Sequence, residues 1–279
     1  MKTKHIFLDV DGTLVNYQNE LPNSAVEAIQ QARSNGHKIY LVTGRSKAEN
    51  TSDIANLEID GYIGGNGNYI EYKGDIVSHE TLTRADCQRI VEWLHHRGLE
   101  FYIESNAGLF ASENFETRGL STVKAYSAFK LNSEAEDFTV RSAFPQLQFG
   151  ESLIRDDVNK VSFILESYQD YEEAKATFSE FQVGTWGGAG EQALFGDIAL
   201  QNINKASGIA KLLKHLGIGT GDTLAFGDAK VDIPMLTFCE TGVAMGNGGP
   251  EIKAMADYIT TAVDADGIKQ AFKHFGIIN

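Results

Sequence analysis

Cysteine is nearly absent: Cys87 and Cys239 are the only two in 279 residues, far apart and outside any metal-ligand spacing. That excludes a disulfide framework and a cysteine-based zinc site, and predicts a reduced chain. No apolar run approaches the roughly 20 residues that a membrane-spanning helix needs. Met1-Lys2-Thr3-Lys4 passes straight into a strand-like segment with no apolar signal region, so a cytoplasmic protein is expected. Positive charge is also scarce, with 24 Lys and Arg against 38 Asp and Glu for a net charge of −14. Nucleic acids and anionic membranes are held by clustered Lys and Arg, and no such cluster occurs, so neither is an expected partner. Repeats, low-complexity tracts and Pro/Ser-rich linkers are missing too, which leaves hinge motion to short connections near Leu82 and Leu200.

What is present is the balance of a globular enzyme, 42% hydrophobic and 22% charged residues in a chain long enough for two domains. The most informative stretch is Asp9-Val10-Asp11-Gly12-Thr13, directly after the apolar run His5-Ile6-Phe7-Leu8. A parallel strand buried on both faces reads as such a run, and α/β folds bind ligands beyond the carboxyl ends of their strands. Two carboxylates that close repel each other, so the pattern implies a bound cation, a shared proton, or both. Mg²⁺ suits it, because Mg²⁺ prefers oxygen ligands and is commonly held by one or two carboxylates plus phosphate oxygens. One aspartate can attack phosphorus while its neighbour handles the proton. The plain alternative is that Asp9 and Asp11 only cap a turn, since Asp and Gly are common turn residues.

Three further strand-end signals weigh against that alternative. Lys38-Ile39-Tyr40-Leu41-Val42 ends in Thr43-Gly44-Arg45, where a hydroxyl, an approachable amide and a guanidinium can hold phosphate oxygens. Lys205 precedes the helical spacing Ile209, Leu212, Leu213, Leu216, which Gly217 closes, and supplies a point positive charge. Thr223-Leu224-Ala225-Phe226 leads into Gly227-Asp228-Ala229-Lys230-Val231-Asp232, a second acidic pair after a second strand-like run.

In these motifs, and in their order, the chain resembles the Cof-type phosphatases of the haloacid dehalogenase superfamily. The likeness runs nearly end to end and takes in Gly65-Asn66-Gly67, Gly242-Val243-Ala244-Met245-Gly246-Asn247 and Asp264-Ala265-Asp266-Gly267-Ile268. It implies a Rossmann-like, doubly wound parallel-sheet α/β core with an inserted α+β cap. By the same likeness Asp9 is the nucleophile and Asp11 the general acid/base. Gly12, Thr43, Gly44, Arg45, Asn66 and Lys205 bind phosphate or substrate. Asp9, the Asp11 backbone carbonyl and Asp228 hold Mg²⁺, with Asp232 supporting them from behind. Family members usually carry glycine and asparagine where this chain has Ala229 and Val231. Loss of one hydrogen bond there is expected to moderate turnover without abolishing it.

The domain reading follows the change in pattern. Strand and helix signals alternate up to a hairpin with Lys73-Gly74-Asp75 as its turn, and alternate again from Ile203 onward. The middle mixes helices with strand-like Leu99-Glu100-Phe101-Tyr102-Ile103 and Val161-Ser162-Phe163-Ile164-Leu165. Residues 1–82 and 201–279 are expected to form the catalytic core, and 83–200 the cap. Ser24-Ala25-Val26-Glu27 predicts a capping box, and the segment from Lys47 to Leu57 a helix. His95-His96 is expected at the surface, because adjacent helical residues do not share a metal. The expected function is hydrolysis of a small phosphorylated metabolite, a sugar phosphate. A phosphomutase or phosphotransferase would use the same residues, and a weakened metabolite-binding protein is the non-catalytic alternative.

Overall fold

In the computed structural model Ile6, Phe7 and Leu8 are each fully buried, as a strand covered on both faces requires. The structure describes residues 2–131, 139–188 and 190–279, so 132–138 and 189, within the expected cap, lie outside the described residues. In chain order the described strands are β1 (His5–Leu8), β2 (Lys38–Val42), β3 (Gly61–Gly64), β4 (Tyr69–Tyr72), β5 (Asp75–His79), β6 (Phe101–Ser105) and β7 (Gly108–Ala111). They continue with β8 (Leu147–Phe149), β9 (Val158–Ile164), β10 (Gln182–Trp186), β11 (Phe195–Ala199), β12 (Thr223–Gly227), β13 (Thr241–Ala244) and β14 (Tyr258–Ile259).

The chain divides into two units, the first made of Met1–Arg45, Asn50–His79 and Ile203–Asn279, the second of Ser46–Glu49 and Glu80–Asn202. The first unit is an α/β layer structure on one sheet of order β14-β13-β12-β1-β2-β3-β4-β5, parallel from β14 to β3. β1 pairs in register with β2 on one side and with β12 on the other, Leu8 standing opposite both Leu41 and Phe226. The carboxyl ends of β1, β2 and β12 are therefore level, and the chain order reverses across β1. That is a topological switch point, where open α/β sheets bind ligands.

Side-chain alternation along β1 supplies both halves of the core. Ile6 and Leu8 pack with Ala28, Ile29, Ile268 and Phe272 from the helices Asn23–Ser34 and Gly267–His274. Phe7 points the other way, among Ile209, Leu212, Leu213 and Met235. The helix Lys205–Leu216 starts where two glycines allow it to. A side chain on Gly208 would run into the backbone of Gly67 after β3, and Gly67 itself has φ +116. The N-terminal end of that helix is thereby held against the loop that follows β3.

Three local expectations meet the structure differently. The hairpin β4–β5 closes at Tyr72 and Asp75 around Lys73 and Gly74, both at positive φ, as a two-residue loop demands. The capping box at Ser24 is not formed. The helix begins at Asn23 with Pro22 as its N-cap, whose side chain has no group to accept a hydrogen bond, so Ser24 falls inside the first turn. The helix expected from Lys47 to Leu57 is broken into a 3-10 turn, Lys47–Glu49, and a single α-turn, Ser52–Ala55. Thr51 between them is extended, at φ −69 and ψ 162, as a helix-start residue is.

The second unit is an α+β module on a sheet of order β10-β11-β9-β6-β7-β8, antiparallel except for β7 with β8. One face, with Phe101, Ile103, Val161 and Phe163, is covered by Ile90, Leu94 and Phe178 of the neighbouring helical segments. On the other face Tyr102, Ile164 and Phe195 pack with Phe115, Val123 and Val140.

Asn204 caps the helix Lys205–Leu216, its Oδ1 accepting from Ser207 N at 2.9 Å while its own N–H donates to Ser207 Oγ at 3.0 Å. Asn204→Ala is expected to lower the unfolding free energy by about 1 kcal/mol. Urea denaturation with an unchanged m-value would show it; an unchanged midpoint would count against the cap.

Candidate active site

The level strand ends of the first unit bring Asp9, Thr43 and Asp228 to one edge, each one residue beyond its strand and each buried. Lys205, from the first turn of its helix, is 1% exposed and reaches this edge from behind. Its ammonium lies 2.5 Å from Asp9 Oδ1 and 2.5 Å from Asp232 Oδ1. The other oxygen of Asp232 accepts from the backbone N–H groups of Asp228, at 3.1 Å, and Ala229, at 2.9 Å. Asp232 thus braces both the lysine and the loop that presents Asp228.

Gly12 is required by crowding. It adopts φ +77, and a Cβ there would overlap the Asp228 carboxylate. The Gly12 carbonyl accepts from Asn247 Nδ2 at 2.8 Å, and Asn247 Oδ1 accepts from Val263 N at 2.9 Å. Asp228 Oδ1 faces the Thr13 hydroxyl at 3.4 Å, and its Oδ2 accepts from the Tyr17 phenol.

Asp11 and Arg45 form the second half of the site. The guanidinium is bidentate, Nε to Oδ2 at 2.9 Å and Nη2 to Oδ1 at 2.8 Å, and Nη2 also donates to Asn19 Oδ1 at 2.6 Å. Arg45 therefore meets the acid expected to move the proton. Thr43 Oγ1 accepts from Arg45 N at 3.1 Å, and Thr43 O accepts from Asn66 N at 2.9 Å. Asn66 holds φ 58, and its buried Oδ1 has no hydrogen-bond partner among the described residues. Gly44 lets Asn66 approach, since a Cβ there would stand 3.2 Å from that oxygen. Val231 is 47% exposed, and His95 and His96 lie exposed on the second unit's helix.

The charge count of the buried cluster is unbalanced. Asp9, Asp228 and Asp232 bring ligand oxygens within 4.8 Å of one another, against one ammonium. Burial, then the Asp232 and Asp228 carboxylates, push the Asp9 carboxyl well above its usual range, against the pull of Lys205. Burial raises Asp228 to about 6, with Asp232 and Asp11 adding to the rise and the Tyr17 bond opposing it. Lys205 resists the cost of burial and stays above its ordinary range because Asp232 and Asp9 face it. Buried negative charge in excess, presented by hard oxygens without Cys or His, fits a hard divalent cation.

Sequence reasoning did not single out Tyr17 or Asn19, and it took in Asn247 as the end of the Gly242–Asn247 stretch that carries the family likeness. The signal for Asn247 was faint: an amide carrying both donor and acceptor, set between glycines at a strand end. Tyr17 carried none.

A phosphoryl-transfer type of centre at the switch point of a doubly wound sheet is the class that this fold and site define. The sequence model of the haloacid dehalogenase-like hydrolases matches residues 6–272, and the chain belongs to that family. It is 27% identical to YkrA of Bacillus subtilis (strain 168) over 100% of both chains. It is 25% identical to that organism's 5-amino-6-(5-phospho-D-ribitylamino)uracil phosphatase YcsE, covering 98% of this chain and 95% of the relative. Among solved structures, a HAD subclass IIB sugar phosphatase superposes with a TM-score of 0.76 at 28% identity, covering 99% of this chain and 100% of the other. The chain is a HAD-family hydrolase.

The raised Asp228 carboxyl sets a pH dependence. Its folded value, about 6, lies above the ordinary 3.8, so the native state binds this proton more tightly than the unfolded chain. The stabilising contribution is full below about pH 4 and lost as pH rises through about 6. In chelator, Asp228→Asn should therefore gain stability relative to wild type between pH 4 and 7, by about 2 to 3 kcal/mol. Calorimetric melting of both proteins checks this; a difference that stays flat with pH would contradict it.

Proposed function

We propose that the protein is a Mg²⁺-dependent phosphomonoester hydrolase that works through an aspartyl-phosphate on Asp9. The observation that carries this reading is the buried Asp9–Lys205–Asp232 bridge at the end of β1. It fixes one oxygen of Asp9 on the lysine at 2.5 Å and leaves the other, Oδ2, as the attacking atom. In the first step Asp9 Oδ2 forms a bond to phosphorus while the ester P–O bond breaks, and the leaving oxygen takes a proton from Asp11. In the second step water attacks phosphorus, gives its proton to Asp11, and displaces Asp9 as inorganic phosphate departs.

The chain's own groups do the positioning. Lys205 offsets charge on Asp9 and the transferred group. Arg45 is poised on Asp11 and can pass its fork to a phosphate or a substrate hydroxyl. Thr43 and the free Oδ1 of Asn66 supply polar contacts beside it. Asp9, Asp228 and the Asp11 carbonyl would hold Mg²⁺, whose charge supplies Lewis-acid stabilisation of phosphoryl oxygens. With a net charge of −14 the molecule as a whole repels anions, so these local groups must carry substrate capture.

The substrate is a small polyhydroxylated phosphate ester, of which a sugar phosphate is the expected form. Two relatives support this, since a sugar phosphatase and the phosphatase of a phosphorylated ribityl compound both act on hydroxyl-rich esters. Discrimination among such esters is assigned to the second unit, residues 83–200 in the sequence reading. One face of its sheet carries Glu104, Lys160, Ser162 and Asp197. Ser162 donates to Glu104 at 2.6 Å, and the Lys160 ammonium lies 3.4 Å from Glu104 and 3.9 Å from Asp197.

A phosphate-release screen over sugar phosphates, nucleotides and cofactor phosphates, with Mg²⁺ and with chelator, tests the proposal. Release is expected with Mg²⁺ and not with chelator, and Asp9→Asn should remove it almost entirely because an amide is a poor nucleophile. Asp228→Ala should lower the rate and raise the Mg²⁺ requirement together. Full activity in chelator would refute the metal, and an isomeric phosphate as the product would identify a mutase instead.

A further inference from the structure

Tyr17 lies outside every motif that identified the site, yet its phenol makes the closest side-chain contact to Asp228. The other side-chain donor to Asp228, the Thr13 hydroxyl, stands at 3.4 Å, near the limit of a hydrogen bond. Asp232 touches only the backbone N–H of Asp228, at 3.1 Å. The orientation of the Asp228 carboxylate therefore depends mainly on Tyr17.

Asn247 lies beside the phenol, its amide donating to the Gly12 carbonyl at 2.8 Å. Asn247 Oδ1 is fixed by Val263 N at 2.9 Å. Asn247 thus ties the loop after β13 to the turn at Gly12, next to the Tyr17–Asp228 pair. Tyr17 remains 36% exposed, so its ring contributes little to the core. What it contributes is one O–H aimed at a carboxylate that is 4% exposed and crowded by two other acids.

We propose that Tyr17 is a positioning residue for the divalent cation: its hydroxyl orients the Asp228 carboxylate so that one oxygen faces the metal while the other stays on the phenol. This rests on the reading that Asp228 ligates a divalent cation. A carboxylate oxygen that accepts a hydrogen bond keeps its partner oxygen directed, and outer partners of this kind are worth about 10- to 100-fold in metal affinity. Without the hydroxyl, Asp228 is free to rotate away from Asp9 and Asp232, the direction in which like-charge repulsion drives it.

The test is calorimetric titration of Mg²⁺ alone into chelator-stripped wild type and Tyr17→Phe, with melting in chelator to compare their folding. The phenylalanine variant should melt like wild type and bind Mg²⁺ about tenfold or more weakly. In turnover assays its activation constant for Mg²⁺ should rise by a similar factor while kcat at saturating Mg²⁺ returns close to the wild-type value. Equal Mg²⁺ affinity in the two proteins would overturn the positioning role and leave the metal site standing. Tighter binding by the variant would overturn it too, by showing that the phenol competes with the cation. Absence of Mg²⁺ binding by wild type would overturn the metal reading itself, and this inference with it.

Discussion

The Lys205 ammonium, seated 2.5 Å from Asp9 and 2.5 Å from Asp232, is the contact around which the first unit's chemistry is arranged. It joins the end of β1, the first turn of a helix and the loop after β12, three places that the fold brings level. A buried ion pair contributes little net stability, because the cost of taking charges out of water offsets their attraction. Breaking one is expensive, since the partner is left charged and alone. Here one ammonium, bonded to two carboxylates, stands against three, so the cluster stays short of positive charge even with the lysine in place. That deficit, more than any single distance, makes the site receptive to a cation.

Topology accounts for where the deficit occurs. β1 sits between β2 and β12 with residues in register, so acids placed one position past β1 and β12 meet without any long side chain spanning the gap. Glycines at 12 and 208 permit approaches that a Cβ would block. The helix carrying Lys205 is fixed at its start by Asn204 and Ser207, which sets the height from which the lysine reaches. The core is built by residues such as Phe7 and Leu8, and the carboxylate proposed as nucleophile stands on the adjoining residue.

Much of this was legible in the amino-acid sequence because it is local. Apolar runs that end in Asp, Thr-Gly or Gly-Asp mark strand ends, and strand ends of a parallel sheet are where ligands bind. Asp9, Thr43, Lys205, Asp228 and Asp232 follow from that rule together with the family likeness. The contacts of Arg45, Tyr17 and Asn247 were not legible. Each joins residues distant in sequence, 34 positions for Arg45 with Asp11, 211 for Tyr17 with Asp228 and 235 for Asn247 with Gly12. An arginine after Thr-Gly promises a bidentate bond, but tertiary structure selects which carboxylate or phosphate receives it. The broken helix between Lys47 and Leu57 has a different cause. Its apolar spacing was real, but Asn50, Thr51 and Ser52 favour helix starts over helix interiors and divide it.

The central claim is that Asp9 is the atom donor that carries the phosphoryl group. Rapid acid quench during turnover of a reactive phosphate ester, followed by peptide mass spectrometry, reads this directly. The account predicts a phosphoryl group on Asp9 and on no other aspartate; a label on Asp11, or no labelled aspartate while phosphate is still being released, would contradict it.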